Sequence, residues 1–79
     1  MFRASLYYNE PCIYEVDAKL QSPKMVLFGN YVYRKISKIS GFFETFEGAR
    51  EFLLKVCENR IIEIHKIKYR IANMFEKEN

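Results

Sequence analysis

Apolar and polar residues alternate from the start of the chain, with Phe2, Ala4, Leu6 and Tyr8 on one side of an extended segment and Arg3, Ser5 and Tyr7 on the other. A period of two predicts a half-buried strand over residues 2–8. Asn9-Glu10-Pro11 then reads as a turn, because proline fixes its own φ and biases the preceding residue away from helix. Residues 12–17 alternate again as the returning strand, with Cys12, Tyr14 and Val16 facing opposite to Ile13, Glu15 and Asp17. Residues 19–23 carry loop chemistry, with Ser22-Pro23 as the break. A second hairpin follows at residues 25–28 and 31–36 around Gly29-Asn30, a pair suited to a two-residue type II′ turn in which glycine takes the positive φ. The fourth strand can run on to Ile39 before Ser40-Gly41 ends it, and Phe42-Phe43-Glu44 adds a short extension.

The period changes after Thr45. From Ala49 to Phe75 there is neither proline nor glycine, and Leu54, Cys57, Ile61, Ile64, Ile71 and Phe75 recur at helical spacing. Thr45 is the expected N-cap, its hydroxyl accepting from an amide of the first turn. Glu44 and Glu47 suit the positive end of the helix dipole, while Gly48 is a mild cost. Ala49, Phe52, Leu53 and Val56 are expected to lie on the sheet. A helix of roughly thirty residues spans about 45 Å, more than twice the ~17–20 Å of an ordinary strand, so its far half would overhang any small sheet. A rival reading breaks the helix at Glu58-Asn59-Arg60 and makes residues 61–71 a fifth strand, because five isoleucines and Tyr69 fall in that stretch. Residues 76–79 are expected to fray. The fold class that follows is α+β: a small antiparallel sheet of two hairpins and a long C-terminal helix, ordered ββββα, in a single domain spanning residues 1–79.

Size and composition narrow what such a domain does. At 79 residues a lone core supplies only about 3–5 kcal/mol, so association with something else is favoured. Apolar residues at 49% exclude intrinsic disorder, and no apolar run approaches the ~20 residues of a membrane span. Two widely separated cysteines, Cys12 and Cys57, with no hydrophobic targeting segment near Met1, argue for a reduced, cytoplasmic chain. The net charge of +3 is mild, but residues 24–43 hold four cations and no carboxylate, and a second basic region begins at Arg60. Phe, Tyr, Met, Ile, Asn and Lys, whose codons are rich in A and T, number 37 against 14 for Gly, Ala, Arg and Pro. An AT-rich genome is implied.

Catalytic chemistry finds little to work with. His65 is the only histidine, and Cys57 lies eight residues from it, about 12 Å along a helix, beyond hydrogen-bond reach. Two cysteines and one histidine without paired spacing do not make a structural zinc site. Gly29, Gly41 and Gly48 are scattered and match no phosphate-cradling loop. No enzyme, metal or cofactor is therefore expected.

Binding remains, in three forms. Tyr31, Tyr33 and Lys35 share one strand face, with Arg34 and Lys38 on the other. An exposed tyrosine pair beside cations can stack on unpaired bases while holding phosphates, unless the tyrosines are the core-facing layer of the sheet. Arg60, Lys66, Lys68 and Arg70, with Tyr69, form a second candidate contact for a protein partner or for RNA. Cys57, Ile61, Ile64, Lys68, Ile71 and Phe75 follow the four-three spacing of a coiled-coil seam with Lys68 as its polar defect, which predicts self-association through Ile61, Ile64, Ile71 and Phe75. In size, organisation and AT-rich composition the chain is similar to small phage proteins that inhibit host enzymes or defence systems. The leading expectation is a non-enzymatic inhibitor that occludes a host enzyme, toxin or defence complex in the host cytoplasm. An RNA- or single-stranded-nucleic-acid-binding protein is the alternative, and a structural homo-oligomer the third.

Overall fold

The structure, a computed structural model, describes residues 1–75. Six strands form two antiparallel sheets, and one long helix closes the chain, an α+β fold: β1 (Phe2–Tyr7), β2 (Glu10–Glu15), β3 (Ala18–Ser22), β4 (Met25–Phe28), β5 (Tyr31–Arg34), β6 (Ser40–Phe43) and α1 (Phe46–Ala72). The first sheet has the order β2-β1-β6 and the second β3-β4-β5. The two are stitched together where β5 runs out. The Phe42 amide donates to the Lys35 carbonyl at 2.8 Å, and Ile36 bridges to Gly41.

The alternation along β1 sorts its side chains between two layers. Ala4 and Leu6 face the helix and pack with Ala49, Leu53 and Val56, with Phe2, Ile13, Ile39, Phe43 and Phe52 around them. On the other face Arg3 and its β6 neighbour Phe42 meet the second sheet. Phe42 lies edge-on to Phe28 at 6.0 Å and tilted against Tyr33 at 6.1 Å. The Arg3 guanidinium sits 5.5 Å from the centroids of Tyr33 and Phe42 and 5.9 Å from that of Phe28. Arg3 therefore joins the two sheets by cation–π contact and is not the solvent-facing cation its alternation suggests.

Three local readings change. Most of residues 19–23, read as a loop, falls in β3 (Ala18–Ser22), because Ala18 and Leu20 pair with Phe28 and Val26 and a bulge before Ser22 absorbs the irregularity. Pro23 with Lys24 is the turn itself. The first hairpin turns at Tyr8-Asn9, both at positive φ (55° and 63°), one step before the expected Asn9-Glu10-Pro11. Pro11 sits inside the edge strand β2 opposite Leu6, whose own N–H points the other way to the Ile39 carbonyl. The proline thus occupies a non-bonded position, where its missing N–H costs no ladder bond. Ser40-Gly41, read as a break, opens β6. Gly29 is at φ 64° in a two-residue turn between Phe28 and Tyr31, as that hairpin requires.

The rival fifth strand over residues 61–71 does not form: all of it is helix. Those isoleucines do not alternate strictly, and a helix already nucleated on the sheet gains one backbone bond for each further residue. At its start the Thr45 hydroxyl accepts from the Gly48 amide at 3.0 Å. At its end the Asn73 side chain donates to the Tyr69 carbonyl at 2.8 Å, three residues short of the expected limit. The fraying expected of residues 76–79 lies outside the described residues. The 27-residue helix is about 40 Å long, yet its buried residues are confined to Ala49, Leu53 and Val56. The Cα radius of gyration, 17.6 Å, compares with about 12 Å for a compact chain of this length. The overhang accounts for the difference.

Candidate functional site

The candidate residues fall into separate groups. On β5 the tyrosine pair is divided: Tyr33, 36% exposed, is held in the inter-sheet aromatic cluster, while Tyr31, 70% exposed, leans edge-on against it at 6.5 Å. Arg34 and Lys35 lie with Pro23, Lys24 and Ile36 around a shallow depression at the β3–β4 turn. The cations are therefore at the surface, and Tyr31 is the more exposed of the two rings.

On α1 the basic residues do not share one face. Arg60 turns toward the sheet, where its Nη1 donates to Asn9 Oδ1 at 2.6 Å and ties the strained hairpin tip to the helix. Lys66, Tyr69 and Arg70 line a shallow apolar-floored depression with Ile62 and His65. Lys68 projects from the side opposite Lys66, since two residues are 200° of helical rotation. Glu47–Arg50 and Lys55–Glu58 are the ion pairs among the described residues, so none of Lys66, Lys68 and Arg70 is neutralised within them.

A second depression, of about 480 Å³, lies between the Ser37–Ser40 turn and the helix. Lys38 and Ile39 form one wall, and Asn59, Arg60, Ile62, Glu63 and Lys66 the other. The turn is held by the Ser37 amide donating to the Ser40 carbonyl at 2.8 Å and by the two hydroxyls at 2.7 Å. Ile62 and Lys66 border both depressions, so a single surface runs from Lys38 along the helix to Arg70. The sequence does not reveal this junction. Lys38 and Lys66 lie 28 positions apart, and only the folding of β6 back onto β1 brings the turn beside the helix.

The apolar candidates Ile61, Ile64, Ile71 and Phe75 all stand beyond the sheet, from 56% to 86% exposed, together with Ile67 and Met74. Cys57 begins this row beside a mostly apolar groove bounded by Pro11, Ile13, Phe46 and Leu54. Both cysteines are free and exposed. Among the described residues no three His, Cys, Asp or Glu side chains are grouped to hold a metal ion, and no helix is long and apolar enough to cross a membrane.

Comparison of the chain with protein-family models, with curated proteins and with solved structures finds no match in any of the three.

Proposed function

We propose that this is a non-catalytic binding protein that docks the basic face of its overhanging helix onto an acidic surface of a partner protein and acts by occluding it. The observation that carries this reading is the continuity of Lys38, Ile62, Lys66, Tyr69 and Arg70 across two adjoining depressions. Tyrosine and arginine around an apolar floor are the residue types that dominate binding energy at protein interfaces, and the flanking lysines would steer an acidic partner. Stoichiometric occlusion needs a complementary surface and no reacting group. An accessory inhibitor of the phage type, directed at a host enzyme, toxin or defence complex, is the role that fits such a surface on so small a chain.

The nucleic-acid reading, through Tyr31, Tyr33, Arg34 and Lys35, is the weaker one on this geometry because the Tyr33 ring is engaged between the sheets. Two variants separate the readings: Lys66→Glu with Tyr69→Ala and Arg70→Glu, and Tyr31→Ala with Arg34→Glu and Lys35→Glu. Immobilised protein is challenged with host extract treated with nuclease and, separately, with single-stranded RNA over a salt series. Retention of a stoichiometric protein that only the helix variant loses supports the proposal. Retention of RNA that only the β5 variant loses, with a steep salt slope in the parent, replaces it with the nucleic-acid reading.

A further inference from the structure

The helix repeats its own core face. Eighteen residues are five whole turns, so Ile67 and Ile71 stand at the same angles as Ala49 and Leu53, which α1 buries on the sheet together with Val56, and Met74 follows two residues beyond the helix end at Ala72. The upper trio is larger and has nothing beneath it, at 49%, 61% and 73% exposure. The sheet ends where Arg60 meets Asn9, and the core-facing stripe continues for about another 18 Å of helix without cover.

We infer that this stripe is covered by the same stripe of a second copy, running antiparallel, with a two-fold axis beside Ile67. Three features select that occupant and that direction. The first is room. Each sheet occupies the inward face of its own helix up to Arg60, so a parallel copy would drive the two sheets into the same space, whereas an antiparallel copy meets only the overhang and leaves the sheets at opposite ends. The second is charge. About an axis at Ile67, Ile67 packs on its own copy and Ile64 lies against Ile71 of the second copy. Glu63 and Arg70, both on one flank of the stripe, then face each other across the axis twice, as two reciprocal ion pairs. Among the described residues neither takes part in an ion pair within one chain. The third is area. Ile61, Ile64, Ile67, Ile71, Met74 and Phe75 together expose on the order of 700 Å² per copy, close to the ~800 Å² per partner of a standard interface. Lys68, on the other flank, meets its own copy near the axis and can carry its ammonium outward on its flexible stem. It limits the affinity without blocking the contact. Because interfaces of this size span the micromolar to picomolar range, the unfavourable Lys68 contact at the axis places this one at the weak, micromolar end.

The inference does not rest on the proposed partner contact: Arg70 borders both surfaces, but Ile62 stands nine residues from Ile71, two and a half turns, on the opposite side of the helix. The test is sedimentation equilibrium of the full chain from about 1 to 500 μM, bracketing the expected dissociation constant. The mass should rise from 9.5 kDa towards twice that value. Ile67→Glu should hold the protein at the monomer mass throughout, with its far-UV circular dichroism at low concentration unchanged. Ile62→Glu, on the opposite face, should leave dimerisation as in the parent. Glu63→Arg and Arg70→Glu should each weaken the dimer at least several-fold, and combining them should restore it. A parent that stays monomeric throughout, or an Ile67→Glu variant that still dimerises, overturns the inference. A charge exchange that fails to restore the dimer overturns the antiparallel register.

Discussion

Leu53→Ala and Ile64→Ala remove the same kind of side chain from one helix, eleven residues apart and only about 20° of rotation from each other, yet the structure assigns them opposite costs. Leu53 is 7% exposed and packed among Ala4, Leu6 and Val56. Truncating it removes buried methyl groups and leaves a cavity, about 2–5 kcal/mol. A chain of this length has about 4–12 kcal/mol in total, so Leu53→Ala costs between a sixth of the stability and all of it. Where the variant still folds, its melting temperature falls by roughly 8–40 °C. Ile64 is 56% exposed with no sheet beneath it. Its residual burial is worth about 1 kcal/mol, and the better helix propensity of alanine returns a few tenths, so Ile64→Ala should lie within about 1 kcal/mol of the parent at low concentration. Urea unfolding followed by far-UV circular dichroism at about 2 μM measures both. Repeated at about 200 μM, where mass action favours the dimer, the parent should gain stability that Ile64→Ala does not. A loss at 2 μM as large as that of Leu53→Ala would refute the reasoning, since it would require the far half of the helix to pack on its own chain.

Gly41→Ala should destabilise by about 1–3 kcal/mol through overpacking. A Cβ there would stand 2.8 Å from the ring of Phe43 and 3.3 Å from the Lys35 carbonyl, and that ring is itself packed on Phe52 at 5.1 Å. The same urea titration reads the change, and an unaltered midpoint would mean the Phe43 ring swings aside freely. Tyr8→Gly should stabilise by about 1 kcal/mol, because Tyr8 is 98% exposed and holds a left-handed φ of 55° that costs an ordinary L-residue ~1–2 kcal/mol. A fall in the unfolding midpoint instead would show that the ring supports the hairpin tip.

What the sequence disclosed is what local physics decides. The Thr45 cap, the Gly29-Asn30 turn, the first strand and the uninterrupted helix each depend on a few neighbouring residues, and each is found where the pattern places it. The misread segments are those whose state is set from a distance. Residues 19–23 look like a loop because Lys19, Gln21 and Ser22 are polar and Pro23 follows, and residues 19–22 become strand only because β4 offers them an edge. Arg3 alternates as a surface residue, but the second sheet folds over that face and turns it into a contact among three rings. Tyr33 is drawn into the inter-sheet aromatic cluster for the same reason. In the candidate site, the helical cations Lys66, Lys68 and Arg70 and the apolar row through Ile64 and Ile71 were legible from spacing alone. The addition of Lys38 and the diversion of Arg60 to Asn9 were not, because both follow from how the hairpins fold against the helix.

The two surfaces of the overhang divide the work that one exposed helix can do. A helix protruding from a small domain is only marginally stable by itself, since its stability in proteins comes mainly from packing an amphipathic face. Covering Ile67 and Ile71 with a second copy would supply that packing while leaving Ile62, Lys66 and Tyr69 open, whereas Arg70, on the flank between the two rows, would be drawn to Glu63 of the second copy. The two-fold axis that pairs the stripes also turns the two basic faces outward on opposite sides of the helix pair. A dimer of this kind is bivalent, and a partner that is itself multimeric would be held with avidity greater than one face provides. The lysine that weakens the seam, Lys68, then has a consequence beyond stability. By keeping dimerisation near the micromolar range it would make the number of available faces depend on how much of the protein is present.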